Sequence, residues 1–231
     1  MSLSIIGVDA DDTLWHTETV FRLTHKRFNE LLAEFADEEV LEANLAAIER
    51  ENMKTYGYGA KGFTLSMLQT ALEVSDGKVS NKVIQELLQA GKEMMTHPIE
   101  PLPGVEEALK SLAERTRLIL VTKGDLFHQE TKLAASGLGS YFSGVEIVSE
   151  KTPEIYTRAF ARHGASAETA LMAGNSVKSD ILPMIAAGGY AALIPYPLVW
   201  EHERAEKPKD NPRFREVETL AGLPAWLDEI G

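Results

Sequence analysis

The chain opens on a short apolar run, Leu3 to Val8, rich in β-branched residues and closed by acids. That is the pattern of a strand buried on both faces. From Thr17 to about His97 the period changes. Val20, Leu23, Phe28, Leu31, Leu32 and Phe35, then Val40, Leu41, Leu45 and Ile48, recur at helical spacing, as do Leu65, Leu68, Leu72 and Val83, Ile84, Leu87, Leu88. This stretch predicts helices and no strand. The segment from His97 to Gly104 holds three prolines and a glycine, which stop helices and mark a linker.

After the linker the pattern alternates. Helices are expected over Val105 to Ala113, Gln129 to Ser136, Pro153 to His163 and Ser179 to Ala187. Buried strands are expected at Leu118 to Val121, Gly144 to Val148, Ala170 to Ala173 and Tyr190 to Ile194. Strand and helix in turn predict an α/β fold with a parallel sheet. The polar run Arg204 to Arg215 reads as an exposed loop, before the apolar pair Val217 and Leu220 and a short helix ending near Ile230. The expected organisation is a Rossmann-like three-layer α/β/α core, residues 1–15 and 99–231, with a helical cap, residues 16–98, inserted after the first strand.

Composition narrows the function. Lys plus Arg number 23 against 35 Asp plus Glu, a net charge of −12, which argues against nucleic acid and anionic membrane as partners. There is no cysteine, so disulfides, thiolate nucleophiles and Cys-ligated zinc are excluded. The first apolar run meets Asp9, Asp11 and Asp12 too soon for a signal peptide, and no run approaches the roughly 20 apolar residues of a membrane span. A cytoplasmic location is the expectation.

The chemistry concentrates at strand ends. Val8-Asp9-Ala10-Asp11-Asp12-Thr13-Leu14 puts two carboxylates two apart at the C-terminal edge of the first strand, the edge where open α/β sheets bind ligands. One carboxylate there can attack an electrophile covalently while the other handles protons; the plainer reading is an acidic turn that caps the next helix. Thr122, in Leu120-Val121-Thr122-Lys123-Gly124, offers a hydroxyl and following N–H groups to a phosphate oxygen. Lys151, just after a third strand, can neutralise both a carboxylate nucleophile and a phosphoryl group. Asn175 and Asp180, in Gly174-Asn175-Ser176-Val177-Lys178-Ser179-Asp180 after a fourth strand, suit an oxygen-liganded Mg²⁺.

With these four segments in this order, the chain resembles the haloacid dehalogenase (HAD) superfamily, subfamily I, with a helical C1-type cap. The matching pieces are VDADDTLW, LVTKGD, SEKTPEIY and AGNSVKSDI, helped by PLPGVEEALKSL and HQETKLAASGLGSYF. The resemblance implies a Mg²⁺-dependent phosphatase for a small phosphorylated metabolite. Asp9 would form an aspartyl-phosphate and Asp11 would serve as acid and base, with Thr122 and Lys151 holding the phosphoryl group. Ala10 and Lys123 would join the phosphate site, and Asp9, Asp11 through its backbone carbonyl, Asn175 and Asp180 would bind the metal. Motif IV usually begins Gly-Asp; here it is Gly174-Asn175, one negative charge fewer. Metal-free 2-haloacid dehalogenases of the superfamily do not keep the second carboxylate, which favours phosphatase here. A phosphomutase, or a non-catalytic phosphate-binding protein on the same fold, remains as alternative.

Substrate selection is expected from the cap. Tyr56-Gly57-Tyr58-Gly59-Ala60-Lys61-Gly62 is either a loop whose Lys61 or Tyr58 meets substrate or a plain inter-helix turn in which glycine supplies positive φ. His16, where the chain enters the cap, is a further specificity candidate. Trp15 is expected to pack the hinge. The other histidines show no metal-ligand spacing, and Glu201 to Arg204 reads as a solvated loop. There is no P-loop and no dinucleotide-binding glycine motif, which argues against NTP and NAD chemistry.

Overall fold

The computed structural model describes residues 3–200 and 203–230. It divides into two compact units: residues 1–18, 99–123 and 129–231, and residues 19–98 with 124–128. The first is built on six parallel strands, β1 (Ile5–Val8), β2 (Arg117–Lys123), β3 (Gly144–Val148), β4 (Ala170–Gly174), β5 (Tyr190–Leu193) and β6 (Phe214–Glu216), in the order β3-β2-β1-β4-β5-β6. β1 is central, paired with β2 and β4, and Val8 lies level with Leu120 and Ala173. The chain therefore leaves β1, β2 and β4 at one edge, and the residues just past their ends are neighbours.

Period-two alternation sorts the strand side chains into two cores. Ile6 and Val8, Leu118 and Leu120, Leu171 and Ala173 join Leu109, Leu112 and Trp226 on one face. Ile5, Ile119 and Val121, Ala170 and Met172 join Tyr156, Phe160 and Met184 on the other. Both faces are covered by helices: α5 (Val105–Ala113), α6 (Leu126–Ser136), α7 (Pro153–Arg162), α8 (Leu182–Ala186) and α9 (Leu223–Ile230) supply the layers.

Three details differ from the sequence reading. The run ending at Arg215 is not wholly loop, because Phe214–Glu216 pairs in parallel with β5; three residues with one apolar member are too short for a pattern to announce. The helix expected from Ser179 instead begins with a π-helical turn, Val177–Ile181, before α8, and π turns recur at functional sites. Glu203 is not solvated, since its side chain is only 13% exposed; Glu201 and His202 lie outside the described residues.

The second unit holds α1 (Glu18–Leu32), α2 (Glu38–Tyr56), α3 (Ala60–Val74) and α4 (Asn81–Met95). Its core is Phe28 and Leu32, Leu41 and Leu45, Phe63, Met67 and Ala71, and Leu87 and Met94. In α3 the buried stripe is thus Ala60, Phe63, Met67 and Ala71 at i, i+3, i+7 and i+11, while Leu65 and Leu72 are exposed. Of the three leucines read as the signal, Leu65 and Leu72 lie off the face that packs, while Leu68 packs partly buried against the core. Between α2 and α3 the chain turns through Gly57 at φ 74° and Gly59 at φ 111°, left-handed backbone that glycine enters without a Cβ penalty. Among the described residues no helix is long and apolar enough to cross a membrane.

Candidate active site

Asp9 follows β1 directly, and its N–H donates to the Ala173 carbonyl at 2.8 Å, which extends the sheet register by one residue. Its side chain is buried. The ammonium of Lys151, from the turn after β3, lies 2.5 Å from Asp9 Oδ1 and 2.6 Å from Asp180 Oδ1. One cation thus bridges two carboxylates, and burying a charge demands such pairing. Burial pushes Asp9 up to about 7; Lys151 pulls it down and Asp180 pushes it up again. Burial disfavours the Lys151 ammonium, but the charges of Asp180 and Asp9 outweigh this and raise its pKa.

The π turn delivers Asp180. Its Oδ2 accepts from Ser176 N–H at 2.9 Å, and the Tyr156 hydroxyl, donating to Ser179 O at 2.9 Å, packs beside it. Gly174 makes room, because a Cβ there would lie 2.2 Å from Asp180 Oδ2.

Asp11 has a separate environment. Lys132 Nζ lies 2.5 Å from Oδ1, which also accepts from Trp15 Nε1 and Thr17 Oγ1, both at 2.8 Å. Gln129 Nε2 donates to Oδ2 at 3.1 Å and to Thr122 Oγ1 at 2.6 Å, and so links the second carboxylate to the motif II hydroxyl. Burial pushes the Asp11 carboxyl up, yet the Lys132 charge and the hydrogen bonds from Lys132, Thr17 and Trp15 win and bring it to about 2. Trp15 is fully buried, so it packs as expected and also holds Asp11. The helix-capping role belongs to the third acid. Asp12, at φ 59°, accepts from the N–H groups of Thr17 and Glu18 at the start of α1, and burial raises its pKa to about 7.

Lys123 extends along a different line. Its ammonium donates to Ser179 Oγ at 2.9 Å and pairs with Glu203, whose carboxylate also accepts from the hydroxyls of Ser176 and Ser179. Burial raises Glu203, but Lys123 and these hydroxyls overcome it and the net shift is downward.

The structure therefore brings Asp9, Lys151 and Asp180 into one cluster and Asp11 and Thr122 into another, on neighbouring strand ends. Ala10 is buried, its carbonyl accepting from Leu14 N–H at 2.8 Å. Asn175 is half-buried in the turn between β4 and the π turn. His16 Nδ1 meets the Tyr196 hydroxyl at 2.5 Å. Tyr58 lies in the turn before α3, and Lys61 pairs with Asp125 at 2.9 Å. Lys132, Gln129 and Glu203 were not singled out from sequence. A signal existed for the first two: Gln129, Lys132 and Leu133 fall at i, i+3 and i+4, polar groups on the face of α6 that packs.

Among the described residues no three Asp, Glu or His side chains converge as a metal centre. The donors that remain are the Asp9 and Asp180 carboxylates, the Asn175 amide oxygen and backbone carbonyls, an all-oxygen set that fits a hard divalent cation such as Mg²⁺.

Comparison with known proteins places these features in a family. The model for haloacid dehalogenase-like hydrolases matches residues 3–188. A haloacid dehalogenase-like family hydrolase from Xanthomonas campestris is 38% identical, with a TM-score of 0.90 over 99% of this chain and 92% of that one. Two more distant structures share the fold. The candidate HAD-hydrolase YfnB of Bacillus subtilis, bound to magnesium, is 18% identical, with a TM-score of 0.67 over 99% of this chain and 100% of that one. A 2-haloacid dehalogenase from Pseudomonas syringae pv. Tomato is 20% identical, with a TM-score of 0.66 over the same shares. A search of curated proteins returned no match. The chain belongs to the haloacid dehalogenase-like hydrolases.

Proposed function

We propose that this hydrolase is a Mg²⁺-dependent phosphatase that cleaves a small phosphorylated metabolite through an aspartyl-phosphate on Asp9. The observation that carries the reading is the separation of two carboxylates two residues apart. Asp9 shares Lys151 with Asp180, whereas Asp11 is held by its own lysine and by Gln129 beside Thr122. A nucleophile and a proton-transfer group need such distinct surroundings.

Asp9 attacks phosphorus, the P–O bond to the ester oxygen breaks, and that oxygen departs with the electron pair. Lys151 offsets the repulsion between carboxylate and phosphoryl anion, and the Thr122 hydroxyl holds a phosphoryl oxygen. Asp9, Asp180, Asn175 and the Asp11 carbonyl would hold Mg²⁺, which when bound supplies further positive charge to the transferring group. Lys61, Tyr58 and His16 are the proposed selectors of the organic part of the substrate.

Displacement of halide from a 2-haloacid is the rival reading. It draws support from the single ammonium of Lys151 bridging Asp9 and Asp180 and from Asn175 in place of an acid, but it gives the shell around Asp11 no task. The test is hydrolysis of p-nitrophenyl phosphate with Mg²⁺ and with EDTA, set beside chloride release from 2-chloropropionate. The phosphatase reading expects metal-dependent phosphate release that Asp9→Asn abolishes. Chloride release without phosphate release would sink it, and so would phosphoryl transfer within a sugar phosphate with no phosphate released.

A further inference from the structure

Lys132 is a near-fully buried lysine, 5% exposed, and lysines are almost never this buried unless paired. Among the described residues its ammonium pairs with Asp11. On the same face of α6, three residues earlier, Gln129 is 3% exposed and touches Asp11, Thr122 and the Lys123 carbonyl. The groups around the Asp11 carboxylate are an ammonium, an amide NH₂, an indole N–H and a hydroxyl that donates. Ammonium, NH₂ and indole N–H can only donate. Three of the four neighbours thus offer hydrogens and no acceptor, so together they fix the direction in which the ionised carboxylate points.

We infer that Lys132 is a positioning residue for the hydrolytic half of the reaction: with Gln129 it aims the Asp11 carboxylate at the water that cleaves the aspartyl-phosphate. This deepens the phosphatase reading and rests on it. In the step concerned, the water oxygen attacks phosphorus and Asp11 takes the water's proton. The bond between phosphorus and the Asp9 oxygen breaks, its electron pair returns to the Asp9 carboxylate, and inorganic phosphate leaves. Formation of the aspartyl-phosphate from p-nitrophenyl phosphate makes little demand on Asp11, because p-nitrophenolate departs unprotonated. With that ester Lys132 therefore acts on the hydrolytic half of the cycle. Gln129, bonded to both Asp11 and Thr122, ties the position of the proton acceptor to that of the phosphoryl group.

The test uses Lys132→Met, which keeps the apolar stem and removes the charge, and Lys132→Arg, which keeps the charge. Both are assayed on p-nitrophenyl phosphate and phenyl phosphate with Mg²⁺. Lys132→Met is expected to lower kcat about 100-fold, the lower end of what general acid–base catalysis contributes. That kcat should be the same for both esters, with kcat/KM for p-nitrophenyl phosphate changed less than about 3-fold. A pre-steady-state burst of p-nitrophenolate should appear as the aspartyl-phosphate accumulates, and Lys132→Arg should recover most of kcat.

Equal falls in kcat and kcat/KM with no burst would overturn the inference, as would an additive loss when Lys132→Met is placed on Asp11→Asn. If wild type hydrolyses neither ester, the phosphatase reading fails and this inference falls with it. The contact itself is then read separately from the ¹³C carboxyl resonance of Asp11, assigned with Asp11→Asn. A shift in Lys132→Met retains Lys132 as the group that holds Asp11, and an unmoved resonance removes it.

Discussion

Replacing Lys151 by Met leaves the Asp9 and Asp180 carboxylates facing one another with no cation between them. The Lys151 side chain is 2% exposed and its Nζ lies 2.5 and 2.6 Å from the two oxygens. At an effective dielectric near 20, each contact carries roughly 6 kcal/mol of gross attraction, most of it offset by the desolvation of three charges. Removing one partner of a buried ion pair costs about 3–5 kcal/mol net, because a buried charge is left uncompensated.

The cost should depend on pH. With its pKa raised to about 7, Asp9 binds a proton in the folded chain between pH 4 and 7 while the unfolded chain has lost it, so wild-type stability falls as pH rises through that window. At pH 5 Asp9 is therefore neutral, and the variant leaves one carboxylate uncompensated instead of two. The expected loss is about 4 kcal/mol at pH 8 and about half of that at pH 5. The assay is urea unfolding in EDTA followed by tryptophan emission. Trp15, Trp200 and Trp226 are the three tryptophans of the chain and all belong to the α/β unit, so emission follows that unit. A loss equal at the two pH values would mean that Lys151 contributes packing rather than charge, and the reasoning would be refuted.

Two further predictions concern the walls of the site. In Gly174→Ala the new Cβ would lie 2.2 Å from Asp180 Oδ2 and 2.4 Å from its Cγ, so the carboxylate must move and give up the Ser176 N–H. The expected loss is about 1–3 kcal/mol, with turnover falling at least tenfold; unchanged melting and turnover would show that Asp180 adapts freely. In Glu203→Gln the Lys123 ammonium loses its buried partner, at a cost of about 2 kcal/mol at pH 7. Glu203 has a lowered pKa, so its contribution is present above the ordinary glutamate range and lost on acidification. The variant's deficit should shrink toward pH 3 in the same unfolding assay.

The parts of the site legible in the sequence are those fixed by local spacing. Asp9 and Asp11 follow β1, Thr122 is the last residue but one of β2, Lys151 follows β3 and Asp180 lies six residues past the end of β4; once the strands are read, the parallel sheet brings their ends together. The supporting residues depend on longer-range geometry. Lys132 reaches Asp11 only because the azimuth of α6 turns it inward, and Glu203 reaches Lys123 only through the path of a polar run that has no period. The same holds for α3, where counting leucines named Leu65, Leu68 and Leu72 while Phe63 and Met67 take the core and only Leu68 packs against it. A hydrophobic pattern locates a helix more readily than it locates the facing side, because the facing side is chosen by the neighbour.

The π turn at Val177–Ile181 makes the site vulnerable to a change in chain length more than to a change in chemistry. Such a turn holds one residue more than an α-helical turn, and the extra residue sets the angle from which Asp180 points at Lys151. Deleting the exposed Lys178 would let the segment relax to ordinary helix, and every side chain beyond it would swing by about 100°. Asp180 would then leave the acid pair although every charged group around Lys151 is retained. A one-residue insertion or deletion between Asn175 and Asp180 would therefore uncouple Asp180 from Lys151 in a single event, with no substitution of the acids themselves.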